Sequence, residues 1–122
     1  MATREEISDR LKELEAKLEV AQDLFGTVIR SIDGFSDFTG EFKAEVDKEK
    51  MAATLREKLK TGQISKEKVD NMVKAKSEHV GIMREVEVLQ TEASLTSVQK
   101  GRLANLHATA ETALSLLHKV TP

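Results

Sequence analysis

Apolar residues return at alternating steps of four and three through the first third of the chain, at Ile7, Leu11, Leu14, Leu18, Ala21, Phe25, Val28, Ile32 and Phe35. A stripe with this seven-residue period predicts an α-helix packed lengthwise on other helices, because its narrow face must meet a neighbour every two turns. Thr3 precedes the stripe and Glu6 lies three residues on, which predicts a capping box at the helix start. Arg10 and Lys17 flank the seam on one side, and Ser8, Glu15 and Gln22 on the other. Beyond Gln22 the stripe gains Leu24 and Ile29, so its later half faces more than one neighbour.

The stretch from Asp33 to Gly40 collects turn formers and two glycines, which predicts the first break. Phe35, Phe38 and Phe42 around it suit a plug for the bundle end. A second helix is expected from Glu41 to Thr61, with Phe42, Val46, Ala52, Leu55 and Leu59 inward and Gly62 as its stop. Ser65 is a good N-cap for a third helix, with Ile64 stapling against Val69. The short connection predicts that helices two and three form an antiparallel hairpin. The third helix carries Val69, Met72, Lys76, His79, Met83, Val86, Gln90 and Ala93 at heptad spacing, broadened by Val73 and Val80. Thr96 with Gln99 makes a second capping box, opening a fourth helix to about Lys119 along Leu103, Leu106, Ala110, Ala113, Leu117 and Val120. The expected fold is all-α: an antiparallel four-helix bundle with coiled-coil-like heptad packing, residues 1–122 forming one domain.

Composition sharpens this. The single proline stands at position 122, leaving the interior free for long helices. Charged residues make up 33%, but 19 basic against 21 acidic leaves a net charge of only -2, and the periodic apolar pattern separates the chain from disordered sequences. With no Trp or Tyr and four Phe, it lacks the stacking surfaces of single-strand nucleic-acid binders. The near-neutral balance also argues against a duplex-DNA footprint. The absence of cysteine removes disulfides, thiolate ligands and thiol nucleophiles. No apolar run has membrane-spanning length, and the charged start from Arg4 to Glu6 has no signal-peptide core, so cytoplasmic residence is expected.

Charge is unevenly divided. Residues 1–50 hold 13 acidic and 8 basic side chains (net -5), whereas residues 51–80 hold 4 and 7 (net +3). Lys58, Lys60, Lys66 and Lys68, with Arg56, Lys74 and Lys76 nearby, form a basic cluster around the second hairpin. It reads either as a solvated face or as a docking patch for an acidic partner, anionic lipid or nucleic acid.

Motifs for chemistry are sparse. His107, Glu111 and His118 share a helix face, but the histidines are eleven residues apart, roughly 16 Å along the axis, too far for one ion. There is no glycine-rich phosphate loop. His79 lacks the following lysine and glycine of histidine phosphotransfer domains and points inward by its heptad position. No cofactor, metal ligand set or catalytic group is therefore expected.

One segment, Gln22-Asp23-Leu24-Phe25-Gly26-Thr27-Val28-Ile29, resembles the Q-D-L-T-G-Q-V-I segment of CheZ-type chemotaxis phosphatases, helical-bundle proteins that dephosphorylate a response regulator. The resemblance implies a catalytic role for Asp23. It also departs from the family, because Thr27 stands where the water-orienting glutamine belongs.

The sequence thus points to a non-enzymatic protein–protein interaction module, an adaptor, assembly component or small helix-binding chaperone. Its helical partner is expected on Leu11, Leu14, Leu18, Leu103, Leu106 and Leu117. A homodimer through Leu11, Leu14 and Leu18 is expected as well. A regulatory phosphatase using Asp23 and an electrostatic surface module using the four lysines are the alternatives.

Overall fold

A computed structural model describes residues 3–31 and 48–121. It contains four α-helices, α1 (Arg4–Arg30), α2 (Lys48–Lys60), α3 (Lys66–Gln90) and α4 (Ser97–Val120), and no strand among the described residues. The turn expected over 33–40, the three phenylalanines around it and the first residues of the second helix lie outside the described residues.

Each start follows from its cap. Thr3 accepts from the Glu6 amide at 3.1 Å and its hydroxyl donates to the Glu6 carboxylate at 3.2 Å, so the box is completed through side chains. Ser65 accepts from the Lys68 amide. Thr96 and Gln99 form the full reciprocal box. Helix α2 ends in a Schellman motif: the Gln63 amide donates to the Lys58 carbonyl at 2.9 Å and the Gly62 amide to that of Leu59 at 3.2 Å. The motif needs a left-handed residue, and Gly62, at φ 73°, supplies it.

The long helices α1, α3 and α4 all pack on one another, and α2 packs principally on α4. Along α1, Ile7, Leu11, Leu14, Leu18, Ala21, Phe25 and Val28 are all buried, as the heptad pattern predicts. The core falls into two clusters. One joins Ile7 to Ala21 with Ile82, Val86, Leu89, Leu103, Leu106 and Ala110. The other joins Phe25, Val28 and Ile29 with Met51, Ala52, Leu55, Ile64, Met72, Ala75, Ala113, Leu116, Leu117 and Val120.

The directions of the three long helices are mixed. Gln99, at the start of α4, bonds Arg4 and Ser8 at the start of α1, while the far ends of both helices share the second cluster. Helices α1 and α4 are therefore parallel, and α3 opposes both, with Lys17 facing Glu85 and Glu87 facing His107. The described part of α2, Lys48–Lys60, contributes Met51, Ala52 and Leu55 to the second cluster alone. Among the described residues α2 leans on α4, where Lys119 pairs with Glu49, more than on α3, although Leu55 shares a core cluster with Met72 and Ala75 of α3.

The α3 seam is also corrected. Its buried positions are Met72, Ala75, His79, Ile82, Val86 and Leu89. Met72, His79 and Val86 match the expected stripe. The alternate positions sit one residue earlier than Lys76, Met83 and Gln90, which keeps lysine and glutamine out of the core at no loss of periodicity.

Candidate interaction surface

The six leucines expected to contact a partner lie inside the single chain, at 0% exposure for Leu11, Leu103 and Leu117, 1% for Leu14 and 5% for Leu18 and Leu106. Helices α3 and α4 cover the α1 seam with Ile82, Val86, Leu89 and Leu103. A partner helix reaches most of these leucines only by displacing one of the chain's own. Leu14 differs, because it also floors a surface groove.

That groove runs between α1 and α3. One part, about 390 Å³, is lined by Arg10, Glu13, Leu14, Lys17, Arg84, Glu85, Val88 and Leu89. A second, about 210 Å³, continues past Lys17 and Glu85 to Ser77, Glu78, Gly81 and Ile82. Lys17 and Glu85 face each other across it at 4.0 Å, both about half exposed. Val88 stands 60% exposed at the rim. Gly81 is the informative residue. It sits in the middle of α3, where glycine costs about 1 kcal/mol relative to alanine, yet a β-carbon there would meet nothing within 4 Å. The chain's own packing gives no reason for its smallness. Sequence reading missed this groove; the unexplained mid-helix glycine was the available signal.

The basic cluster lies at the turn between α2 and α3. Lys60 and Lys66 are exposed and Lys58 and Lys68 half-buried. Lys58 donates to the Gln63 side-chain oxygen at 2.7 Å. Among the described residues no ion pair joins any of the four lysines to an acid, whereas Lys17, Arg30, Arg102 and Lys119 each have a carboxylate partner.

Asp23 is exposed and accepts from Arg30 at 3.2 Å. The Thr27 hydroxyl donates to the Asp23 backbone carbonyl at 2.8 Å, which uses its one hydrogen inside the helix. The residue standing for the family's glutamine thus has no amide and no free donor with which to orient water.

His107 meets Glu87 at 3.3 Å through Nε2 and Glu111 at 3.5 Å through Nδ1. No group of three metal-ligating side chains occurs among the described residues. His79 is fully buried. Its Nδ1 donates to the Ala75 carbonyl at 2.6 Å, and its Nε2 has no hydrogen-bond partner among the described residues. Desolvation holds the ring below the usual histidine range, against the raising effects of the Ala75 carbonyl and of Glu78.

These features define an all-helical bundle with a closed apolar core, a charged groove along two of its helices and several lysines near the turn between α2 and α3. No helix among the described residues is long and apolar enough to cross a membrane. No family model, curated protein or solved structure matches the chain.

Proposed function

We propose that this chain is a cytoplasmic, non-enzymatic protein–protein interaction module, an adaptor, assembly component or small helix-binding chaperone, that works by helix packing. The observation that carries this reading is Gly81 open in the α1–α3 groove. A helix-interior glycine with free space above it is what a close-approaching partner backbone requires. Exposed Val88 supplies apolar contact above a floor of buried Leu14 and Leu89, and Arg10, Lys17, Arg84, Glu13 and Glu85 supply rims of both signs. The occupant is an amphipathic helix with flanks that carry both charges, read at i, i+3, i+4 and i+7.

Coiled-coil-like packing among α1, α3 and α4 is part of the proposal, supported by buried residues at alternating three and four spacing on each. A homodimer fits in one geometry, with two copies meeting groove to groove about a two-fold axis. The test replaces Val88 with a photo-crosslinking residue in the native cell, with and without Gly81→Trp. A crosslinked helical segment that disappears with Gly81→Trp supports the groove. Crosslinks indifferent to Gly81→Trp remove it.

A further inference from the structure

An exposed valine and an open glycine flank the Lys17–Glu85 pair on the α1–α3 face. Lys17 and Glu85 face each other at 4.0 Å and mark a common height on the two antiparallel helices. From that height Val20 lies three residues onward in α1, about 4.5 Å, and Gly81 lies four residues back in α3, about 6 Å in the same direction. Val20 stands two turns beyond Glu13 and one beyond Lys17, on the side of α1 that lines the groove, and it is 64% exposed. The chain's own packing thus leaves an apolar knob on one helix and, at nearly the same height on the other, open space above a glycine.

Resting on the groove reading above, we propose that the groove takes a second copy of this chain, with α1 of each copy laid over α3 of the other about a two-fold axis along the groove. Rotation about such an axis keeps every residue at its height. Each Val20 is then set over Gly81 of the other copy to within about 1.5 Å along the helix, and each Lys17 meets the other copy's Glu85. Together with the pair inside each chain, the four charges close into a ring of alternating sign. An axis across the groove at the same height would set Lys17 on Lys17 and Glu85 on Glu85, a costly like-charge arrangement. The complementary flank for each rim stands on the opposite rim of the same molecule, which is what a self-complementary two-fold contact requires. Gly81 lets the valine seat against backbone where a side chain would hold the helices apart. The exposed large apolar side chains on this face, among the described residues, are Val20 and Val88, so the contact belongs to the weak, reversible class. It forms in concentrated protein and comes apart on dilution.

The experiment uses the absence of cysteine from the chain. Val20→Cys and Gly81→Cys are prepared as separate proteins, mixed and oxidised with diamide, and Gly101→Cys, equally open but on α4, serves as the control. The expected result is a covalent dimer from the Val20→Cys and Gly81→Cys mixture, at least about tenfold more than from either protein alone or from Val20→Cys with Gly101→Cys. In parallel, light scattering from about 1 µM to about 1 mM follows wild type, Lys17→Glu, Glu85→Lys and an equal mixture of the two variants. Each variant alone would bring four like charges together and should stay monomeric where wild type dimerises. The mixture re-forms the alternating ring and should associate at least about tenfold more tightly than either variant alone. Circular dichroism checks each fold, and should a charge variant not fold, the cysteine mixture decides. A wild type that stays monomeric to about 1 mM overturns the second copy, as does crosslinking equally strong with Gly101→Cys. The groove itself would survive either result if a Val88 crosslink to another protein is abolished by Gly81→Trp, which would give it a different occupant.

Discussion

The side-chain amide of Gln99 donates to the backbone carbonyl of Arg4 at 3.0 Å, joining residues 95 apart in the chain. The same nitrogen reaches the Ser8 hydroxyl at 3.0 Å, while the Gln99 Oε1 accepts from the Thr96 amide at 3.0 Å. A residue that reads locally as half of a capping box thus also fixes where α4 starts relative to α1. Gln99→Ala removes both cross-helix bonds and half the cap, and is expected to cost about 2 kcal/mol. Thr96→Ala, losing the cap alone, should cost about half as much in urea unfolding.

Acid should destabilise the fold through His79. Burial holds its folded-state value below the ordinary 6.5, so as pH falls the unfolded chain takes up the proton first. Stability is complete above about 6.5 and declines below it, with a slope from this residue of at most about 1.4 kcal/mol per pH unit. His79→Leu should flatten that decline. Thermal melts of both proteins between pH 7.5 and pH 5 check this, and parallel curves would reject it.

The α1 seam is covered by the chain itself. Leu11→Ala, at a site with 0% exposure, should therefore cost about 2–5 kcal/mol by opening a cavity. The loss should be the same at all protein concentrations. A seam that instead held two chains together would make the midpoint concentration-dependent.

Gly81→Ala should stabilise α3 by about 0.5–1 kcal/mol, since the added methyl meets nothing within 4 Å. If the groove seats a helix, the same change weakens partner binding while the melt rises. Gly101, equally open on α4, is the control: Gly101→Ala should raise the melt and leave binding alone.

The α1 seam was fully legible because every described position in it is apolar and no rival register exists. Helix α3 offered two registers sharing Met72, His79 and Val86. Choosing between Lys76, Met83 and Gln90 and their neighbours Ala75, Ile82 and Leu89 turns the helix by one residue, which periodicity alone does not resolve. The neighbour chosen by α2 was not written in its own residues either, because it depends on the surface that the other three helices leave open. The groove was hidden for the same reason: it is set by the relative rotation of two helices. The basic cluster was visible as composition, but the motif that ends α2 beside it came from hydrogen bonds around Gly62.

The two core clusters meet between Ala21 and Phe25 on α1, Ala75 and Ile82 on α3, and Ala110 and Ala113 on α4, with His79 at that level. Three helices run through both clusters, so neither half can open without straining the other. Helix α2 belongs to one cluster alone. Its amide protons should therefore exchange with solvent through a partial opening in which α2 lifts from α4 while the three long helices remain protected. That opening would uncover Leu55, Leu116 and Leu117 together, giving the molecule a second, transient apolar face that the closed form never displays.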